Sequence, residues 1–220
     1  MERERYPKPE GDTTPDGAVS QEEVWPEARA LLARDPVFRP IVEVAGPVRM
    51  PGHRPSDFAY LVRSIVYQQL AGKAAATIHG RVVDALGSTV TPEAVMAADD
   101  ETLRGAGLSR GKLAAVRDLA TRVREGSLSL DDLATLEDEA VLARLTVVRG
   151  IGPWTARMLL LFHLRRPDVW PAGDLGVRNG WARLHGKATA PLPREMAPLG
   201  DRYRPWRSAV AWYCWRAMDR

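Results

Sequence analysis

From about residue 21 onward, the apolar residues of this chain recur at three- and four-residue spacing and almost never alternate. That period lines one face of a helix, whereas a half-buried strand needs a period of two. The expected fold class is therefore all-α. The clearest case follows Ser56, where Phe58, Leu61, Val62, Ile65, Val66 and Leu70 form one continuous stripe. Gln68, Gln69, Ala71 and Gly72 interrupt it. A second helix from about Lys73 should bury Ala75, Ile78, Val82, Val83 and Leu86 and stop at Gly87. Thr91-Pro92-Glu93 starts a third, with a capping hydroxyl, a proline at the first helical position and an acid facing the positive helix end. Gly105-Ala-Gly107-Leu-Ser109 separates two more, the second over about 110–124 with Leu113, Val116, Leu119, Ala120 and Val123 inward. Short helices are expected near 131–136 and 138–145, loops over the Pro- and Gly-rich stretch 186–205, and an aromatic helix over about 206–217.

Several classes drop out. Of 220 residues, 45% are hydrophobic and 27% charged, which is ordinary for a globular protein and unlike a disordered one. The most apolar run, Met158 to Phe162, meets His163 and Arg165, well short of the roughly 20 apolar residues a bilayer span needs. The polar start, Met1 to Arg5, lacks the apolar core of a secretory signal, so a cytoplasmic location without membrane is expected. Residues 1–20, rich in Pro, Gly, Asp and Thr, read as a disordered leader ahead of one domain over 21–220. The single Cys214 forbids an intrachain disulfide, a four-cysteine zinc site or an iron–sulfur cluster held by this chain alone, and is expected to be a small buried side chain. Charge is uneven. Residues 1–140 hold 17 Lys and Arg against 23 Asp and Glu, while 141–220 hold 14 against 5. A basic last third favours a polyanionic partner, nucleic acid before membrane.

Two local patterns carry chemistry. In Leu145-Thr-Val-Val-Arg-Gly150-Ile-Gly152-Pro-Trp-Thr-Ala156, two glycines one residue apart join helical patterns, and Pro153 is pre-set for the first turn of the second. Free amides there, aided by the helix dipole, suit a phosphate; a tight helix–helix connection alone would also explain them. Further on, Trp170-Pro171-Ala172-Gly173-Asp174-Leu175 puts an acid in a Pro/Gly loop just before the helical run Val177 to Leu184. Asp174 reads as an N-cap, and capping is compatible with a second, chemical role.

With these residues in place, the chain resembles the helix-hairpin-helix DNA glycosylase superfamily. Ile65-Val-Tyr-Gln-Gln-Leu70 with Lys73-Ala-Ala-Ala76, Arg149 to Ala156, and Arg204-Pro-Trp-Arg-Ser208 are similar to its 3-methyladenine DNA glycosylase II branch, and the resemblance runs from about 45 to 217. It implies a two-lobed, all-α fold with the active-site cleft between the lobes. The extra N-terminal β-domain of that branch is not expected, because only some 25–30 residues of the domain precede the first long helix.

The resemblance also implies roles. Asp174 would be the catalytic carboxylate, stabilising positive charge that develops on the sugar as the base departs and orienting the attacking water. A sister branch forms a Schiff base through a hairpin lysine; here that position is Trp154, so a monofunctional enzyme leaving an abasic site is expected. Gln69 would enter the stack vacated by the flipped nucleotide, and Trp154, Trp215 and Tyr67 would wall the base pocket. N-alkylated purines are cationic, so an indole face attracts them by about 0.5–2 kcal/mol. Trp206 and Trp212 are expected to pack in the core. Phosphates would meet Gly150, Gly152, Thr155, Ser109 and Lys112, with Arg149 and Arg178 as further candidates. No cofactor is required; a structural cation at the hairpin is compatible, with no metal ligands identified.

The partner implied is double-stranded DNA containing damaged bases, bound by a monomer associated with the nucleoid. Two rivals stay open. A non-catalytic helix-hairpin-helix module would bind DNA without Asp174 or the aromatic walls. A glycosylase for deaminated or mismatched bases would share both; the missing lysine and cluster cysteines count against its commonest forms.

Overall fold

The computed structural model describes residues 21–219; the expected leader, residues 1–20, lies outside them. The described chain is all-α apart from one short ribbon. It divides into two compact units, one formed by residues 54–159 and the other by 21–53 with 160–219.

The chain begins in the second of these. Strand β1 (Gln21–Glu23) pairs antiparallel with β2 (Arg49–Pro51), Glu22 opposite Met50. Between them lie α1 (Pro26–Leu32) and α2 (Arg39–Ala45), which pack on each other. Only three residues long on each side, the ribbon carries no alternation that sequence could reveal.

The first unit then runs from α3 to α9. Helix α3 (Asp57–Tyr67) starts where Ser56 Oγ accepts from the Ala59 amide at 3.2 Å and buries Phe58, Leu61, Val62, Ile65 and Val66 as its stripe requires. Helix α4 (Gly72–Ala85) packs on it, burying Ala75 and Val82, while Ile78 and Val83 are half-buried; Gly87 beyond it has φ +73°. Thr91 caps α5 (Pro92–Ala97), Asp99 caps α6 (Asp100–Gly105), and Ser109 caps α7 (Arg110–Arg124), each accepting from the amide three residues on. Residues 131–136, expected as a short helix, are turns; Thr135 folds back on the Asp132 carbonyl instead. Helices α8 (Asp138–Leu145) and α9 (Pro153–Met158) form the hairpin.

Beyond α9 a single π turn (Leu159–His163) leads back into the second unit. Its α10 (Leu175–Leu184) is capped by Asp174. Helix α11 (Pro193–Leu199) replaces the loop expected within 186–205: Pro193 fits a helical first position, and Glu195 reaches back to accept from the Leu192 amide at 2.8 Å. A 3₁₀ turn (Asp201–Tyr203) precedes α12 (Arg207–Met218). From Ser208 to Trp215 every residue of α12 is buried, so its many rings belong to a central helix with no solvent face. Phe38 packs edge-on against Trp181 and Tyr203, and Trp181 stacks on His185 at 4.1 Å. Ser208 Oγ accepts from the Val169 amide and donates to the Arg166 carbonyl, while Arg204 and Arg207 pair with Asp168, tying the segment before Asp174 to the start of α12. Among the described residues, no helix is long and apolar enough to cross a membrane.

Candidate functional site

Asp174 is 4% exposed. Its Oδ1 accepts from the Val177 amide at 2.8 Å, the capping bond expected, and from the Trp215 indole Nε1 at 3.0 Å. The second bond joins residues 41 apart in sequence and was not legible there. Trp215, expected as a pocket wall, is 6% exposed, and one of its faces stacks on Phe162 with centroids 5.4 Å apart. Its first duty in this structure is to hold the carboxylate. Two donors on one oxygen of a buried acid fix its orientation. Cys214 is buried beside them; desolvation, then the Asp174 charge, pushes its thiol well above the ordinary range, so it stays a protonated apolar filler.

The close spacing of α10 and α12 follows from Gly180, where an added Cβ would lie 1.9 Å from the Cys214 carbonyl oxygen. Only glycine allows that approach. Arg178, one turn beyond Asp174, donates to the Pro191 carbonyl at 3.0 Å.

The hairpin lies in the other unit. Gly150 has φ +77°, and a Cβ there would sit 3.2 Å from that of Ala115, so this glycine is required twice over. Gly152 is different. It caps α9 in an extended conformation, is exposed, and has nothing within 4 Å of a Cβ. No contact among the described residues demands a glycine there, as would hold if another molecule's backbone approaches it. Trp154, at the second position of α9, is 39% exposed. Thr155 is 4% exposed, and its hydroxyl lies 3.4 Å from Gln68 Nε2, which also donates to the Gly150 carbonyl at 2.8 Å. The Arg149 amide donates to Asp118 Oδ2 at 2.8 Å. Burial opposes ionisation of Asp118, but that amide and Arg122 outweigh it and hold the carboxyl below its ordinary value.

Gln69 is exposed with φ +57°. A left-handed backbone costs a non-glycine residue about 1–2 kcal/mol, and such strain concentrates at working positions. Tyr67 is half-buried beneath the Arg63 guanidinium, 4.1 Å from its ring centroid, and meets His79 edge-on. Ser109 is exposed and caps α7. Lys112 donates to the Val66 carbonyl at 2.7 Å, and desolvation lowers its pKa. Gln68, Asp118 and the Lys112–Val66 bond are contributors that sequence reasoning missed: each is a polar side chain reaching a backbone group far along the chain, and no local pattern marks it. No group of three or more His, Cys, Asp or Glu that could hold a metal is found among the described residues.

The family described as HhH-GPD superfamily base excision DNA repair protein matches residues 62–203. The DNA-3-methyladenine glycosylase 1 of Schizosaccharomyces pombe is 33% identical over 191 residues, 84% of either chain. The solved structure of a 3-methyladenine DNA glycosylase from the same yeast in complex with abasic DNA superposes with a TM-score of 0.75 at 32% identity, covering 86% of this chain and 95% of that one. A DNA-3-methyladenine glycosidase from Bacillus halodurans gives 0.77 at 34% identity, covering 90% and 92%.

Proposed function

This chain belongs to the HhH-GPD superfamily of base excision DNA repair proteins, and from that premise we propose that it is a monofunctional DNA N-glycosylase, a hydrolase of the 3-methyladenine DNA glycosylase type. It flips alkylated bases out of duplex DNA and hydrolyses the bond between base and deoxyribose.

The observation that carries this reading is the state of Asp174: buried at 4% exposure, with one oxygen fixed by the Val177 amide and the Trp215 indole. As the base leaves, positive charge grows on the sugar, and a carboxylate already oriented stabilises it without reorganising. The same carboxylate directs water onto the anomeric carbon and takes its proton. The leaving base keeps the bonding electron pair. For 3-methyladenine or 7-methylguanine that pair neutralises a formal positive charge, so the base needs little further help.

Flipping costs a few kcal/mol, and Gln69 fills the gap in the stack. We assign Trp154, Trp215 and Tyr67 to the aromatic contacts with the extruded base, which select by stacking and charge. The amides of Gly150 and Gly152 and the Ser109 hydroxyl take phosphates flanking the lesion, while Thr155 and Lys112 brace these elements from within. Trp154 occupies the place where a Schiff-base lysine would stand, so the product is an abasic site in an intact strand.

The test is release of base from methylated duplex DNA by the wild type and by Asp174→Asn. The wild type should release 3-methyladenine or 7-methylguanine without cutting the strand. The variant should bind DNA alike but lose about 10²–10³ in rate, the usual cost of removing preorganised charge stabilisation. A wild type that binds lesion DNA yet releases nothing would favour the non-catalytic module. Strand cleavage without added base or heat would refute the monofunctional assignment.

A further inference from the structure

The turn that carries Gln69 is weakly held by its own backbone. The Gln68 amide reaches the Ile65 carbonyl, and the Leu70 amide the Tyr67 carbonyl, only at 3.4 Å each. Shorter bonds come from side chains. Gln68 Nε2 donates to the Gly150 carbonyl at 2.8 Å, and Lys112 Nζ donates to the Val66 carbonyl at 2.7 Å. Directly after these anchors Gln69 keeps φ +57°, a region that L side chains rarely adopt. The anchors start from different elements, Gln68 from the turn itself and Lys112 from α7, and Gly150, the hairpin residue that Gln68 reaches, packs on Ala115 of the same α7. The Tyr60 hydroxyl adds a bond from α3 to the Met158 carbonyl of α9 at 3.2 Å.

We propose that Gln68 and Lys112 are positioning residues for the wedge: acting on the backbone just ahead of Gln69, Gln68 ties its turn to the hairpin and Lys112 ties the end of α3 to α7, so that gripping the flanking phosphate and inserting Gln69 into the stack are one rigid event. The inference rests on the wedge role given to Gln69 above. Lys112 serves it without touching DNA. Its ammonium is partly desolvated, which lowers its pKa, and lies 2.7 Å from the Val66 carbonyl oxygen.

The test measures unstacking apart from catalysis. A duplex carrying a tetrahydrofuran abasic analogue, with 2-aminopurine beside it, is titrated with the full chain and its fluorescence followed. The wild type should raise the signal strongly. Gln68→Glu, which keeps the side chain's size but removes the N–H facing Gly150, and Lys112→Met should at least halve that rise at saturating protein, and Lys112→Arg should restore it. In single-turnover base release, the two damaging variants should lose about tenfold when the methylated base is paired and nearly nothing when it lies opposite a mismatch, where opening is already cheap. A full fluorescence rise in both variants overturns the inference, as does equal loss on paired and mismatched lesions, which marks general destabilisation. No rise with the wild type overturns it together with the wedge. If the wild type unstacks DNA but releases no base, the proposed function fails and this inference stands; if base is released and the variants unstack normally, this inference alone fails.

Discussion

Gln69 is held by long polar side chains reaching for backbone carbonyls, whereas Asp174 is held by a helix end and one indole inside a close-packed apolar core. The first arrangement keeps a strained, exposed residue in place with bonds that water can compete for. The second holds a buried carboxylate between a backbone amide and an indole N–H. A residue that must enter DNA needs reach, and its supports are long polar side chains at the surface; a carboxylate that must face developing charge needs preorganisation, and its supports are packed in the core. The glycines divide in the same way. Gly180 is demanded by its own fold, while a Cβ at Gly152 would meet none of the described residues within 4 Å.

Gly180→Ala is the strongest attempt to break that contrast. Its methyl would sit 1.9 Å from the Cys214 carbonyl oxygen, so α10 and α12 must part. Overpacking of this sort costs about 1–3 kcal/mol, read from the urea unfolding midpoint, and base release should fall as the Trp215–Asp174 bond stretches. Gly152→Ala is the counterpart: stability within about 0.5 kcal/mol of wild type, but weaker binding to DNA. If Gly180→Ala proved as stable as Gly152→Ala, the rigid description of the aspartate's surroundings would be wrong.

Trp215→Phe sharpens the contrast with a smaller effect. Phenylalanine keeps the stack on Phe162 and loses the indole N–H, leaving Asp174 Oδ1 with the Val177 amide. A hydrogen bond to a charged group is worth about 1.5–3 kcal/mol, part of it spent equally on ground and transition states, so single-turnover release should fall about tenfold. DNA affinity should hardly change. A variant that loses affinity and keeps its rate would make Trp215 a wall alone.

How much of this was readable in sequence follows from how local each contact is. The stripe of α3, the Ser56, Thr91 and Ser109 caps, the glycine turn and the Asp174 cap all depend on residues within four positions, and those features stand as the sequence reading has them. Helix α11 was missed because prolines dominate its sequence, although proline at a first turn is helix-compatible. The β ribbon and the π turn are too short to show a period. Trp215 could be placed near the chemistry only by family resemblance, and its bond to Asp174 spans 41 residues. Gln68 and Gln69 are adjacent in one motif, and nothing in the motif says which glutamine points inward to the hairpin.

The smallest effect concerns the polar side of the contrast. Asp118 accepts from the Arg149 amide at the hairpin's edge, and its folded carboxyl lies below the ordinary value despite burial. A group whose pKa is lowered by folding stabilises the fold fully above its unfolded pKa, and that contribution fades as pH falls through the folded value. Asp118→Ala should therefore cost about 1 kcal/mol at neutral pH and less in acid, shrinking as pH drops below about 4. Urea unfolding at a series of pH values gives the stability difference, and hydrogen exchange at the Arg149 amide gives the local one: faster in the variant at neutral pH, converging with wild type in acid. A difference that stayed constant with pH would mean that Asp118 acts by packing and not by charge. The hairpin would then be held as the aspartate is, and the contrast between the two regions would lose its polar half.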